Sequence, residues 1–136
     1  GAKRAMEDAL NDAKINSDHI DYINAHGTST PAGDQVEIKA IQDVFQANTN
    51  DVNISSTKSQ TGHLLGAAGA IEAIFSVLTI KNQIMPSTIN LENPIEHSKI
   101  NIIKGAPKKE KIDYVLSNSF GFGGTNVSLI FKNINW

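Results

Sequence analysis

Three short clusters in this chain carry side chains that could do chemistry, and each lies where an apolar run meets glycine. They are Asn24-Ala25-His26-Gly27-Thr28-Ser29-Thr30, Lys58-Ser59-Gln60-Thr61-Gly62-His63 and Phe120-Gly121-Phe122-Gly123-Gly124-Thr125-Asn126. Ligands of open α/β sheets gather beyond the carboxyl ends of strands. His26 and His63 each follow a candidate strand, so both can point into one cleft. Neutral imidazoles donate N–H bonds to a developing oxyanion or enolate. A nearby ammonium favours that charge and discourages imidazole protonation. Glycine-flanked backbone amides can complete an oxyanion hole. Two histidines, Lys58 and a glycine turn therefore suit carbonyl chemistry at a thioester or ester.

Other readings of the same residues are open at this point. A histidine after a strand is often structural. Two histidines can mark zinc, but the obvious third ligands are missing and the spacing fits no zinc motif, so no metal is expected. The glycine turn has no Gly-Lys-Ser/Thr ending and does not match Gly-x-Gly-x-x-Gly, which leaves nucleotide-binding readings poor and no cofactor implied. His19 and His97 sit in polar, turn-like stretches and are expected to be solvated. Glu72 lies inside an apolar stretch; buried alone it would be costly, so it must meet a cation or donor, and Lys58 is the first candidate.

The elements that must position these groups can be read from periodicity. Ala2, Ala5, Met6, Ala9, Leu10 and Ala13 form one face of an opening amphipathic helix. Residues 20–25 read as a strand. Thr30-Pro31 starts a second helix, whose apolar face is Val36, Ala40, Ile41, Val44 and Phe45. Residues 52–56 read as another strand. Residues 64–80 read as a helix apolar on all sides, expected to be central and buried, with Ala67, Ala68, Gly69 and Ala70 allowing close backbone approach. Residues 84–110 look irregular, with Lys108-Lys109-Glu110-Lys111 as a charged surface turn. Residues 114–119 and 127–131 read as an antiparallel hairpin. The pattern is an α/β layered domain with a mixed sheet over residues 1–136, without repeats or linkers.

Composition narrows the partners. Twelve basic against 14 acidic residues give a net charge of −2, which argues against a nucleic-acid protein dependent on a basic excess. Hydrophobic residues make up 40% and charged residues 19%, enough for a folded core. The longest apolar stretch is broken by Glu72 and falls short of the roughly 20 residues of a membrane span, so no membrane is expected. There are no cysteines, hence no disulfides and no cysteine nucleophile within the chain.

The strings His26-Gly27-Thr28-Ser29-Thr30-Pro31-x-Gly33-Asp34, Lys58-Ser59-x-Thr61-Gly62-His63-Leu64-Leu65-Gly66-Ala67-Ala68-Gly69 and Asn118-Ser119-Phe120-Gly121-Phe122-Gly123-Gly124-Thr125-Asn126 resemble the β-ketoacyl-acyl-carrier-protein synthases, in the family's order. The resemblance covers essentially the whole chain. Two histidines resemble the elongating type; the initiating type has asparagine at the second. Ser29 and Leu65 resemble the discrete fatty-acid enzymes, most like synthase II, rather than modular polyketide enzymes, which usually read His-Gly-Thr-Gly-Thr. Gln60 stands where methionine is common.

The resemblance implies a thiolase-like fold, of which this chain is the C-terminal half without its first strand, and a nucleophilic cysteine in the other half. The expectation is therefore a fragment, inactive alone and prone to associate through its uncovered apolar faces. The resemblance further implies a decarboxylative Claisen condensation on acyl and malonyl forms of acyl carrier protein, by a cytoplasmic homodimer without cofactor. His26 and His63 would stabilise the enolate oxygen. Lys58 would hold the local field with Glu72 as its partner. The backbone N–H of Phe122 would form half an oxyanion hole and its ring would gate the acyl pocket. Thr28 and Thr30 would bind the pantetheine arm, and Phe120 and Asn126 would also face substrate. The alternative is a naturally short, non-catalytic ketosynthase partner that binds carrier protein.

Overall fold

The computed structural model describes residues 1–95 and 99–134. A five-stranded mixed sheet runs through the chain, with helices on both faces. Its elements, in order, are α1 (Ala2–Ala13), β1 (Tyr22–Asn24), α2 (Pro31–Phe45), β2 (Asn53–Ser55), α3 (Lys58–Thr61), α4 (Ala68–Asn82), β3 (Ile84–Met85), β4 (Asn101–Ile102), β5 (Lys108–Lys109), β6 (Tyr114–Phe120) and β7 (Asn126–Lys132). The strand order is β4-β2-β1-β6-β7; only the β6–β7 pairing is antiparallel, and β3 and β5 form a separate two-stranded ribbon.

Parallel strands need a long crossover, usually a helix. Between β1 and β2 that crossover is α2, with Thr30 as N-cap and Pro31 in the first turn, where a missing N–H costs nothing. The β6–β7 connection is tight. Gly123 and Gly124 take φ of 77° and 83°, and the Gly121 N–H donates to the Thr125 carbonyl at 2.8 Å. The expected hairpin, both parallel strands and both amphipathic helices are present.

Side chains alternate across the strands with period two, and this divides the core. On one face Ile23, Ile54 and Leu116 pack with Met6 and Leu10 of α1 and Ile41 and Phe45 of α2. On the other, Tyr22, Val115 and Ile112 pack with Ile80 of α4, Met85 and Ile103.

The structure corrects two expectations. The helix of residues 64–80 is not buried on all sides within this chain. The face of α4 that packs inward carries Ala68, Glu72, Ser76, Thr79 and Ile80, four and three residues apart, while Ile74, Val77 and Leu78 are exposed. Apolar composition all round hid the polar inward face. Residues 65–82 are long and apolar enough to cross a membrane, yet the same stretch packs Glu72 against protein and runs along β6. Second, Lys108-Lys109 is not a turn but β5, paired with β3; Lys108 reaches Asn53 Oδ1 at 2.9 Å.

Candidate active site

His26 stands at the end of β1, as the sequence spacing implies, whereas His63 is set off from β2 by the short helix α3. His26 follows β1 and sits in a turn held from two sides. Both carboxylate oxygens of Glu37, on α2, accept backbone N–H bonds: Oε1 from His26 at 2.9 Å and Oε2 from Gly27 at 2.8 Å. Asn118 Nδ2 on β6 also donates to Glu37 Oε1 at 3.2 Å, and Ser128 Oγ on β7 donates to Asn118 Oδ1 at 2.8 Å. From the β2 side, Ser56 Oγ donates to the Gly27 carbonyl at 2.7 Å. Gly27 has φ of 36°, and a Cβ there would lie 2.7 Å from Ser56 Cβ, so only glycine fits.

Glu37 is buried, and burial pushes its carboxyl pKa up; the N–H bonds from Gly27, His26 and Asn118 pull it back. It was absent from the sequence-derived site. The signal was available: Glu37 lies four residues before Ile41 and three before Ala40, on the apolar face of α2, where a carboxylate needs donors.

His63 lies beyond α3, on exposed backbone. Its ring packs edge to face on His26, with centroids 5.3 Å apart and planes at 86°. The Phe120 ring lies 6.0 Å from His26. The backbone N–H of Leu65 donates to His63 Nδ1 at 3.1 Å. That bond requires Nδ1 to be the acceptor, so neutral His63 carries its proton on Nε2 and presents an N–H donor. Leu65 adopts φ of 54° to make it, a left-handed conformation that leucine rarely takes. Ser29, beside the other histidine, has φ of 61° and donates its N–H to Asp34 Oδ1 at 3.1 Å. Backbone strain of this kind collects at functional sites.

His26 is held neutral. Burial, then the Lys58 ammonium, then His63 lower its pKa to about 4. Its Nδ1 is buried without a hydrogen-bond partner among the described residues.

Lys58 and Glu72 form the expected ion pair, Lys58 Nζ to Glu72 Oε1, with both side chains buried. Burial raises the Glu72 pKa and Lys58 opposes it. Close packing of α4 against β6 brings Glu72 in: a Cβ on Gly69 would lie 3.0 Å from Ser119 Oγ, as the run of small residues implies. Gly66, by contrast, has open space around it.

The remaining expected residues are less tightly placed. Thr28 and Thr30 join hydroxyls at 3.1 Å on the surface. The Phe122 ring is fully exposed at the hairpin tip. Asn126 pairs with Phe120 in the hairpin register and lies against Gly1 at the start of α1. His19 is half-exposed, bonded to Asp18 Oδ1 at 2.9 Å and edge-on to Tyr114. His97 lies outside the described residues. No cluster of three metal-ligating side chains occurs among the described residues.

Comparison with known families agrees with this geometry. Residues 1–92 match the family described as "Beta-ketoacyl synthase, C-terminal domain". The chain belongs to the β-ketoacyl synthase family. A curated relative, 3-oxoacyl-[acyl-carrier-protein] synthase 2 of Vibrio cholerae, is 52% identical over 98% of this chain and 33% of its own length. The enzyme of the same name from Rhizobium meliloti is also 52% identical, over 97% of this chain and 31% of its own length. This chain thus spans about a third of the curated relatives it matches. Among solved structures, a β-ketoacyl synthase from Burkholderia phymatum superposes with a TM-score of 0.90 at 41% identity, over 98% of this chain and 32% of that one. A type II polyketide acyl-carrier protein in complex with its ketosynthase matches with a TM-score of 0.94 at 34% identity, over 98% of this chain and 33% of that one. The fold is therefore the thiolase-like ketosynthase fold, in part.

Proposed function

We propose that the protein bearing this chain is a chain-elongating 3-oxoacyl-acyl-carrier-protein synthase of fatty-acid synthesis. Residues 1–136 supply the half of the site that handles malonyl-carrier protein, as the C-terminal ketosynthase domain. Its first strand and the cysteine nucleophile come from residues outside this chain. The reading rests chiefly on one observation: two neutral imidazoles in edge-to-face contact, one held neutral by burial and Lys58, the other fixed as an Nε2–H donor by the Leu65 N–H.

In this reaction an acyl group passes from its carrier-protein thioester to the cysteine thiolate, releasing carrier thiol. Malonyl-carrier protein then binds, and its carboxylate C–C bond breaks to release carbon dioxide. The electron pair moves onto the thioester as an enolate, whose oxygen takes N–H bonds from His26 and His63. The enolate carbon attacks the acyl-cysteine carbonyl, and collapse expels the cysteine thiolate and leaves 3-oxoacyl-carrier protein. The Phe122 N–H bonds the oxyanion of that step while its ring gates the acyl pocket. Thr28 and Thr30 bind the pantetheine arm; Phe120 and Asn126 line the substrate path. Lys58, with Glu72, holds the positive field that keeps His26 neutral. No cofactor is required. The enzyme works as a cytoplasmic homodimer, and the apolar side chains exposed on α4 support an assembled state.

The alternative, a non-catalytic partner of a ketosynthase, is disfavoured because both histidines and the Lys58–Glu72 pair remain assembled. Loss of one oxyanion donor typically slows a reaction about 10²–10³-fold. Accordingly, His63→Ala in the intact enzyme is expected to slow malonyl-carrier-protein decarboxylation by at least about 10²-fold while acyl transfer to the cysteine persists. Decarboxylation at the wild-type rate in that variant would refute the proposal.

A further inference from the structure

The two histidine mounts leave the sheet side by side. His26 follows β1 directly, while α3, which carries Lys58 and leads to His63, follows β2. Where these parallel strands end, the Ala25 N–H donates to the Ser55 carbonyl at 2.9 Å. Beyond that bond, among the described residues, no backbone bond joins the His26 turn to α3. The spacing of the two mounts therefore falls to side chains. The four residues of α3 also need outside support, because a single helical turn is not stable by itself.

Ser56 stands between the mounts, and its hydroxyl, carbonyl and N–H each hold a different segment. The hydroxyl grips the His26 turn, donating to the Gly27 carbonyl at 2.7 Å. The carbonyl accepts Ser59 Oγ of α3 at 2.8 Å. The N–H donates to Thr88 Oγ1 at 3.0 Å. Thr88 is anchored in turn: its own N–H donates to the Ile103 carbonyl at 2.8 Å, and its backbone bridges to Lys104. The neighbours of Thr88 hold α3 as well. The Ile89 N–H donates to Ser59 Oγ at 3.0 Å, and Gln60 Nε2 donates to the Ser87 carbonyl at 3.0 Å. The segment 87–89 thus reaches the His26 turn through Ser56 and the α3 turn through Ser59 and Gln60.

We propose that Thr88 is a positioning residue: through Ser56 and Ser59 it fixes the spacing between the His26 turn and the α3 mount of Lys58 and His63. Its catalytic consequence rests on the decarboxylation proposed above; its geometry rests on the bonds of this chain alone. An oxygen that takes N–H bonds from two donors needs both within about 2.7–3.1 Å of one point. A misplacement of about 1 Å can cost on the order of 10²-fold in rate. Two imidazoles carried on separate mounts therefore need a part that sets one mount against the other, and the junction at Ser56 is that part.

The test compares two variants of the intact enzyme. Thr88→Val keeps the side-chain shape and removes the acceptor of the Ser56 N–H; Thr88→Ser keeps the acceptor. With malonyl-carrier protein, Thr88→Val is expected to lower kcat for decarboxylation at least about tenfold with KM within about twofold, while acyl transfer to the cysteine is unchanged. Thr88→Ser is expected to stay within about twofold of the wild type on each measure. In NMR the His26 ring, whose midpoint lies near 4 beside Lys58, is expected to titrate higher in Thr88→Val as the Lys58 mount shifts. Ser59→Ala cuts the same junction from the α3 side and is read in place of Thr88→Val if that variant does not fold. The proposal is overturned if folded Thr88→Val keeps the wild-type kcat and His26 midpoint, if Thr88→Ser loses as much as Thr88→Val, or if acyl transfer falls in step with decarboxylation. If His63→Ala also decarboxylates at the wild-type rate, the assigned reaction fails instead, and the His26 midpoint alone decides the junction.

Discussion

The turn that carries His26 and the turn that carries Phe122 both follow strands of the same sheet, and both are built around glycine. They are held in opposite ways. At the first, backbone N–H and carbonyl groups are bound by Glu37 and Ser56, and Asn118 and Ser128 tie that carboxylate to the hairpin. At the second, one backbone bond closes the loop, Gly123 and Gly124 set its path, and the Phe122 ring stands in the open. The first turn is over-determined by residues of this chain. The second leaves its aromatic ring free to be positioned by whatever it meets. An imidazole that must stay neutral and aimed needs the first kind of mounting. A ring that admits and then covers an acyl chain needs the second.

The strongest way to break the contrast is to remove the charge beneath the rigid turn. Lys58 and Glu72 are buried together, and deleting one partner of such a pair costs about 3–5 kcal/mol because the other charge is left alone. Lys58→Met is therefore expected to lower unfolding free energy by about that much in urea. The double variant Lys58→Met/Glu72→Met should recover most of the loss, since replacing a whole buried pair by apolar groups is often neutral. Recovery would show that the pair is retained for the field it sets at His26 rather than for stability.

A smaller break acts on Glu37. In Glu37→Gln one acceptor oxygen becomes a donor and faces a backbone N–H, leaving a buried group unsatisfied. The expected loss is about 1–3 kcal/mol, with faster amide exchange at His26 and Gly27. Unchanged exchange there would mean that the turn is held by Ser56 alone.

Glu37 also shows what could be read before the structure was known. Strands, crossover helix and hairpin were legible because each follows from local periodicity and turn chemistry: Ile23 and Leu116 alternate with Tyr22 and Val115, and Pro31 and Gly123 mark ends. The histidines and the Lys58–Glu72 pair were legible because a charge in an apolar stretch demands a partner. The inward face of α4 was not legible, because its isoleucines and leucines surround the helix and only tertiary contacts decide that Glu72, Ser76 and Thr79 turn inward. The ribbon of β3 and β5 was missed for a related reason: two-residue strands carry no period to detect. Glu37 was legible as a carboxylate on an apolar helix face that needs donors, but not its partners, because two of the three are backbone amides, which every residue has.

A subtler effect separates the two turns by pH. The pKa of His26 is depressed to about 4 from an ordinary 6.5. A depressed group contributes stability that is present above the unfolded value and lost as pH falls through the folded one. Unfolding free energy should therefore fall between pH 6.5 and about 4, and the fall should be shallower in His26→Gln. In NMR the His26 ring is expected to titrate with a midpoint near 4, moving upward in Lys58→Met because Lys58 is the second cause of the shift.

The smallest effect belongs to the loose turn. Phe122 is fully exposed in this chain, so Phe122→Ala should change the stability of the 136-residue chain by no more than about 0.5 kcal/mol. In the intact enzyme the gating role proposed for the ring predicts that the same substitution alters turnover. A large stability loss in the chain itself would mean that the ring packs against it, and the two turns would then be mounted alike. A null effect on stability joined to a change in acyl-chain preference would sharpen the distinction: one turn fixed by its own chain to aim a proton donor, the other left unfixed so that substrate can move it.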